Sequence, residues 1–142
     1  MKLSTRSRYG LRLMFRLAQY RNSEPLHLSR IAALEGISQK YLGQIVILLK
    51  GAGLIDSRRG AHGGYYLTRE PAAITALEIV EPLEGGLIES LERRESGQIR
   101  GCPTRRILDL LREKIVETLE GITLDDIVGW HAEDAGNIVF EI

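Results

Sequence analysis

A mainly α-helical fold with one small β-hairpin follows from three features of this 142-residue chain. A short apolar helix, a glycine turn and a second apolar helix follow one another between Leu28 and Lys50. Two β-prone runs then flank a glycine-rich turn bearing two arginines. From Thr104 the chain returns to a wide helical stripe.

The elements follow in order. Thr5 to Tyr20 is predicted helical, with Tyr9, Leu13, Leu17 and Tyr20 on one face and Leu11, Met14 and Ala18 on another. Between them Arg6, Arg8, Arg12 and Arg16 form a basic row suited to a phosphate backbone. Asn22-Ser23-Glu24-Pro25 breaks this helix. Leu28 to Leu34 is predicted as a short helix closed by Gly36, a residue that tolerates the left-handed conformation. Ser38 is the expected N-cap of the next helix, whose apolar stripe is Leu42, Ile45, Leu48 and Leu49. The opposite face carries Gln39, Lys40 and Gln44, groups able to reach base edges or phosphates, while Tyr41 suits a half-core position.

Leu54 to Ser57 and Tyr65 to Thr68 are the two hairpin runs, and Arg58, Arg59 and His62 lie in the turn between them. Those arginines suit a wing that touches DNA, with His62 near enough to meet a phosphate. The glycines do not make a phosphate-binding loop, because the terminal Gly-Lys-Ser/Thr is missing. Thr75 and Glu78 form an expected capping box for a helix to about Leu83. From Thr104 to Leu119 the positions Leu108, Leu111, Ile115 and Leu119 fit a dimer seam or packing on their own domain, and the heptad-like spacing favours the seam. Thr123 and Asp126 are placed to cap a last short helix, and the tail from Asn137 shows nothing to tie it down.

Charge is distributed unevenly. Residues 1–69 hold twelve Lys/Arg against three acidic residues, a net of +9, and residues 70–142 hold seven against sixteen, a net of −9. A half this basic points to a polyanion partner, since each phosphate contact releases condensed counterions. The composition is globular, with no run near the roughly 18 apolar residues of a membrane span and no signal-peptide pattern at Met1 to Arg6, so a cytoplasmic protein is expected. A single cysteine rules out an intramolecular disulfide. No catalytic constellation is present, and the carboxylates are spread along amphipathic helices, so no enzyme is expected.

Several motifs together resemble one family. Leu3-Ser4-Thr5-Arg6, Gly36-Ile37-Ser38 with Lys40-Tyr41-Leu42 and Gln44, Gly53-Leu54-Ile55, Arg59-Gly60 and Gly63-Gly64-Tyr65 are similar to the Rrf-two family of winged helix-turn-helix transcription regulators. The resemblance continues through Ile122-Thr123-Leu124. It implies a homodimeric repressor, bound to a pseudo-palindromic operator in double-stranded DNA and crossed by the helix from Thr104. By the same resemblance Ser38, Lys40, Tyr41, Gln44 and Arg59 stand at DNA-facing positions, and Arg6, Arg8, Gln39, Arg58 and His62 complete the expected contact set. Gly43 stands where many relatives carry a base-reading glutamate, so their operator sequences do not transfer. The expected plan is a DNA-binding domain over 1–83, a sensor or linker loop over 84–103, a dimerisation helix and short C-terminal helix over 104–132, and a tail over 133–142.

The sensor departs from the family's cluster-bearing members, which use three cysteines before the long helix plus a fourth ligand. Cys102 matches the third cysteine, Arg105 occupies the place of the frequent histidine, and Arg8 and Arg12 cannot replace first-helix ligands. A stable cluster needs about four soft or imidazole ligands, so no cofactor is expected. The signal is expected from a thiol, a small-molecule effector or a regulatory protein. The alternatives are a cluster with unconventional ligands, or a winged helix that binds protein without DNA. Cys102 itself fits a spare thiol or a redox-sensitive thiolate favoured by Arg100, Arg105 and Arg106. His27, His62 and His131 show no metal-ligand spacing.

Overall fold

The computed structural model describes residues 2–89 and 102–140. Three helices come first: α1 (Thr5–Gln19), α2 (Leu28–Glu35) and α3 (Gln39–Gly51). The hairpin β1 (Ile55–Arg58) and β2 (Gly64–Leu67) follows, then a 3₁₀ turn at Pro71–Ala73. Three more helices complete the order: α4 (Ala76–Leu83), α5 (Arg105–Glu120) and α6 (Leu124–Phe140). The mainly helical fold with a small wing is therefore as expected, and most helix ends fall within one residue of the sequence reading.

The core forms where the apolar stripes of α1 to α4 meet. Leu13 and Met14, Ile31, Leu42, Ile45 and Leu49, and Ile79 and Leu83 are all fully buried, and Leu124 of α6 closes one side. Both apolar faces of α1 are used, since Leu13, Met14, Leu17 and Ala18 are all buried. Gly10 permits the close crossing with α4: a Cβ there would fall 2.1 Å from Leu83 Cδ1. The Thr75–Glu78 capping box is present in both directions, and the Thr75 amide bond to the Glu78 carboxylate heads the causes holding it below its ordinary value.

The end of α4 is clasped to the start of α1. Glu84 accepts from the Ser7 hydroxyl at 2.5 Å and from the Ser4 amide at 2.9 Å. Burial alone would raise the Glu84 pKa, but bonds from Ser7 and Ser4 and the charge of Arg6 outweigh it and hold the carboxyl below its usual value of 4.5. A depressed folded-state pKa stabilises the fold above the ordinary value, and the contribution is lost as pH falls through the lowered one. Ser7→Ala is thus expected to cost about 1–2 kcal/mol at neutral pH, and urea melts should show the gap to the parent narrowing as pH falls below the carboxyl's ordinary 4.5.

One region differs from expectation. The last helix is not short: α6 runs to Phe140, through residues 133–140 that the sequence leaves as a tail. Thr123 and Asp126 cap it reciprocally at 2.8 and 3.1 Å. Ile127 and Val128 pack on the core, and His131 sits edge-on to Phe15 with centroids 5.1 Å apart. These contacts hold the first half of α6 against the weak local helical signal of Gly129; Gly136 lies beyond them. Most of the expected loop over 84–103 lies outside the described residues, Arg100 included, although 87–89 are helical.

Candidate nucleic-acid interface

Gly36 ends α2 with φ 63°, a conformation glycine adopts without a Cβ penalty. Ile37 then turns into the core, and Ser38 caps α3 by accepting from the Tyr41 amide at 3.1 Å. Burial of Leu42, Ile45, Val46 and Leu49 fixes the rotation of α3. Gln39, Lys40, Gln44 and Ile47 are consequently left exposed. Gly43 lies on the same side, and a Cβ there would meet only Leu28 Cδ2, at 3.9 Å. Among the described residues no packing requires that glycine. Tyr41 is half-buried, its ring edge-on to Tyr9 at 5.7 Å, so it serves the core as the sequence suggests.

The wing pairs antiparallel from Ile55 opposite Leu67 to Arg58 opposite Gly64. Its base is tied to α3 through Lys50 Nζ, which donates to Ser57 Oγ at 2.9 Å and lies 3.5 Å from Asp56 Oδ1. Its return strand is tied to the approach to α2, where Leu26 and Tyr65 exchange amide–carbonyl bonds of 3.0 and 2.8 Å. Arg58 lies over the Tyr66 ring at 5.8 Å, and Arg59 has no ion-pair partner among the described residues. His62 faces Glu24, with Nδ1 2.9 Å from Oε1. Between the wing and the starts of α2 and α3 runs a cleft of about 470 Å³ lined by Ser29, Gln39, Ser57, Arg58 and Arg59. The fold thus brings Gln39 together with the wing arginines, while Lys40 and Gln44 continue along the exposed side of α3.

The basic row on α1 is used differently from the sequence expectation. Arg6 Nε donates to the Leu83 carbonyl at 2.6 Å. Arg12 and Arg16 each direct Nε to a different oxygen of Glu35, both at 2.5 Å. The Glu35 side chain is 4% exposed, so these charge-assisted bonds offset the cost of burying a carboxylate. Arg8 remains exposed, bonded to Thr5 Oγ1 at 3.1 Å. Sequence reasoning missed Glu35 as an anchor. The available signal was a solitary acid beside the glycine turn in the basic half.

Comparison with known proteins decides the family. The model described as Rrf2, Iron-dependent Transcriptional regulator, matches residues 3–129. The chain belongs to the Rrf2 family. It is a DNA-binding transcription regulator of the helix-turn-helix type and not an enzyme. The HTH-type transcriptional regulator CymR of Bacillus subtilis (strain 168) is 41% identical over 133 residues, covering 92% of this chain and 91% of the relative. Its solved structure, described as that of the global cysteine regulator, superposes with a TM-score of 0.78 at 37% identity, over 92% of this chain and 98% of that one. T. potens IscR gives 0.80 at 38% identity, over 95% and 90%. The oxidized form of Staphylococcus aureus CymR gives 0.72 at 37% identity, over 90% and 96%.

The iron dependence in the Rrf2 description invites a test of the donor set. The whole chain has one cysteine, Cys102. Among the described residues no group of three or more His, Cys, Asp or Glu side chains could hold a metal ion. His27 and His62 belong to the wing side, where they face Ala61 and Glu24, and His131 packs on Phe15. The residues present do not fit a four-ligand cluster. Cys102 sits just before α5, its Sγ 2.8 Å from Thr104 Oγ1. The Thr104 side-chain contact, with backbone amides beside it, holds the thiol pKa below its ordinary value, which favours the reactive thiolate.

Proposed function

We propose that this regulator binds a pseudo-palindromic operator as a homodimer, with α3 in the major groove and the wing along the adjacent minor groove, and represses transcription there. The carrying observation is the cleft that joins Gln39 of α3 to Arg58 and Arg59 of the wing. Ser38, Lys40 and Gln44 supply hydrogen-bonding groups on the exposed side of α3, and Tyr41 braces the helix on Tyr9. The start of α2 opens on the same cleft without a side-chain cap, leaving amides suited to a phosphate. Arg8 adds an exposed cation on α1, and Arg6 and His62 stand at the margins of the contact set.

Dimerisation is assigned to α5, in which no residue is buried within the single chain. On its apolar side Leu111, Ile115 and Leu119 line a groove of about 440 Å³ with Leu3 and Leu87, and Leu108, one turn before, is exposed. In this reading residues 1–83 bind DNA, 84–103 carry the signal and α5, within 104–132, joins the protomers. The signal enters through the Cys102 thiol, a small ligand or a partner protein rather than a full cluster, because the donor set contains one thiolate.

The wing assignment makes a quantitative prediction. Arg59→Ala is expected to weaken operator binding by roughly 5–10-fold at moderate salt, and to reduce the slope of log K against log salt by about one. Fluorescence anisotropy over a salt series measures both quantities. An unchanged affinity and slope would remove the wing from the interface.

A further inference from the structure

Ile47, at 71% exposure, is the most exposed large hydrophobic side chain among the described residues. It lies in α3, one turn beyond Gly43 and seven residues after Lys40, so all three share a side with Gln44. We infer that Ile47 reads a thymine 5-methyl group in the major groove, as a base-specific apolar contact. This rests on the placement of α3 proposed above. Thymine carries the one apolar substituent that a base pair presents in that groove. Lys40 and Gln44 can address acceptors and donors on base edges, but neither matches a methyl. Beyond them Lys50 is committed to Ser57 and Asp56, so Ile47 defines the chemistry of the C-terminal part of this side.

Helix propensity does not account for the residue. A β-branched side chain in an exposed helical position is less favourable than lysine, glutamine or glutamate. Core packing does not account for it either, because the buried side of α3 is supplied by Leu42, Ile45, Val46 and Leu49. The missing side chain at Gly43 leaves space beside Ile47, since Leu28 Cδ2 alone lies within 4 Å of where a Cβ would stand. That space lets a base edge approach the isoleucine. The flanking lysine and glutamine suit a nucleic acid better than an apolar protein face.

The test uses the full-length protein to select duplexes from random-sequence DNA. In the tightest-binding duplex each thymine is then replaced in turn by deoxyuridine, which removes the methyl alone. At one position per half-site the parent protein is expected to lose affinity about fourfold, the effect of one buried methyl. Ile47→Ala should lose less than about 1.5-fold there, because the partner of that methyl is gone. Its melting temperature should match the parent's, as the site is exposed. Equal deoxyuridine penalties for both proteins at every thymine would overturn the inference. If Gln44→Ala still weakens binding in that case, the major-groove placement stands and only the role of Ile47 falls. If Gln44→Ala and Ile47→Ala both bind the selected duplex as the parent does, the placement of α3 falls with it.

Discussion

Leu108→Glu combined with Leu111→Glu is expected to leave a folded monomer at micromolar concentration and to weaken operator binding by about 100-fold or more. The two leucines are 50% and 42% exposed in the single chain, so charge at these positions meets water there and leaves the core of α1 to α4 intact. In the proposed dimer the same side of α5 is covered, and two carboxylates per protomer would be buried without partners. Two linked half-site contacts bind far more tightly than one, because the second occurs at high effective concentration. Sedimentation and a titration against whole and half operators separate the effects. Half-site affinity should hardly change while the advantage of the whole site disappears. A variant that stays dimeric would move the interface off α5.

The sequence was most informative where local chemistry and the tertiary fold agree. Ser38, Gly36 and the Thr75–Glu78 pair mark helix ends by their own hydrogen-bonding or conformational character, and each caps as expected. The core stripe of α3 was legible because burial on one side imposes the helical period. The C-terminal helix was not. Its first half packs through Ile127, Val128 and His131 against the core and α1, contacts that two glycines and a polar run conceal.

The site divides along the same line. Exposed Lys40 and Gln44, and the wing arginines, could be read from their surroundings in the chain. The fate of the α1 arginines could not, because Arg12 and Arg16 find Glu35 across 23 and 19 residues of sequence. A count of basic residues therefore overstates the cations left for DNA. Ile47 was concealed for the opposite reason. An isoleucine in an apolar helix draws no notice beside its core stripe, and the rotation of α3 shows this one 71% exposed on the side of Lys40 and Gln44.

Gly64→Ala is expected to detach the wing, costing about 2–4 kcal/mol of stability and at least about 30-fold in operator affinity. Gly64 has φ 136°, a region that L side chains rarely adopt. Its missing Cβ would also fall 2.5 Å from the carbonyl carbon and oxygen of Leu26 and 2.9 Å from the His27 amide. Those are backbone atoms, and they hold the paired bonds between Leu26 and Tyr65, so no side-chain rotation relieves the collision. Gly60 provides the control. Its φ is 107°, but nothing lies within 4 Å of a Cβ there, so Gly60→Ala carries conformational strain without the collision. Thermal melts should rank parent above Gly60→Ala above Gly64→Ala, with helical circular dichroism largely retained in all three. If Gly64→Ala retained both stability and operator affinity, the close seating of the wing on Leu26 would have no part in presenting Arg58 and Arg59.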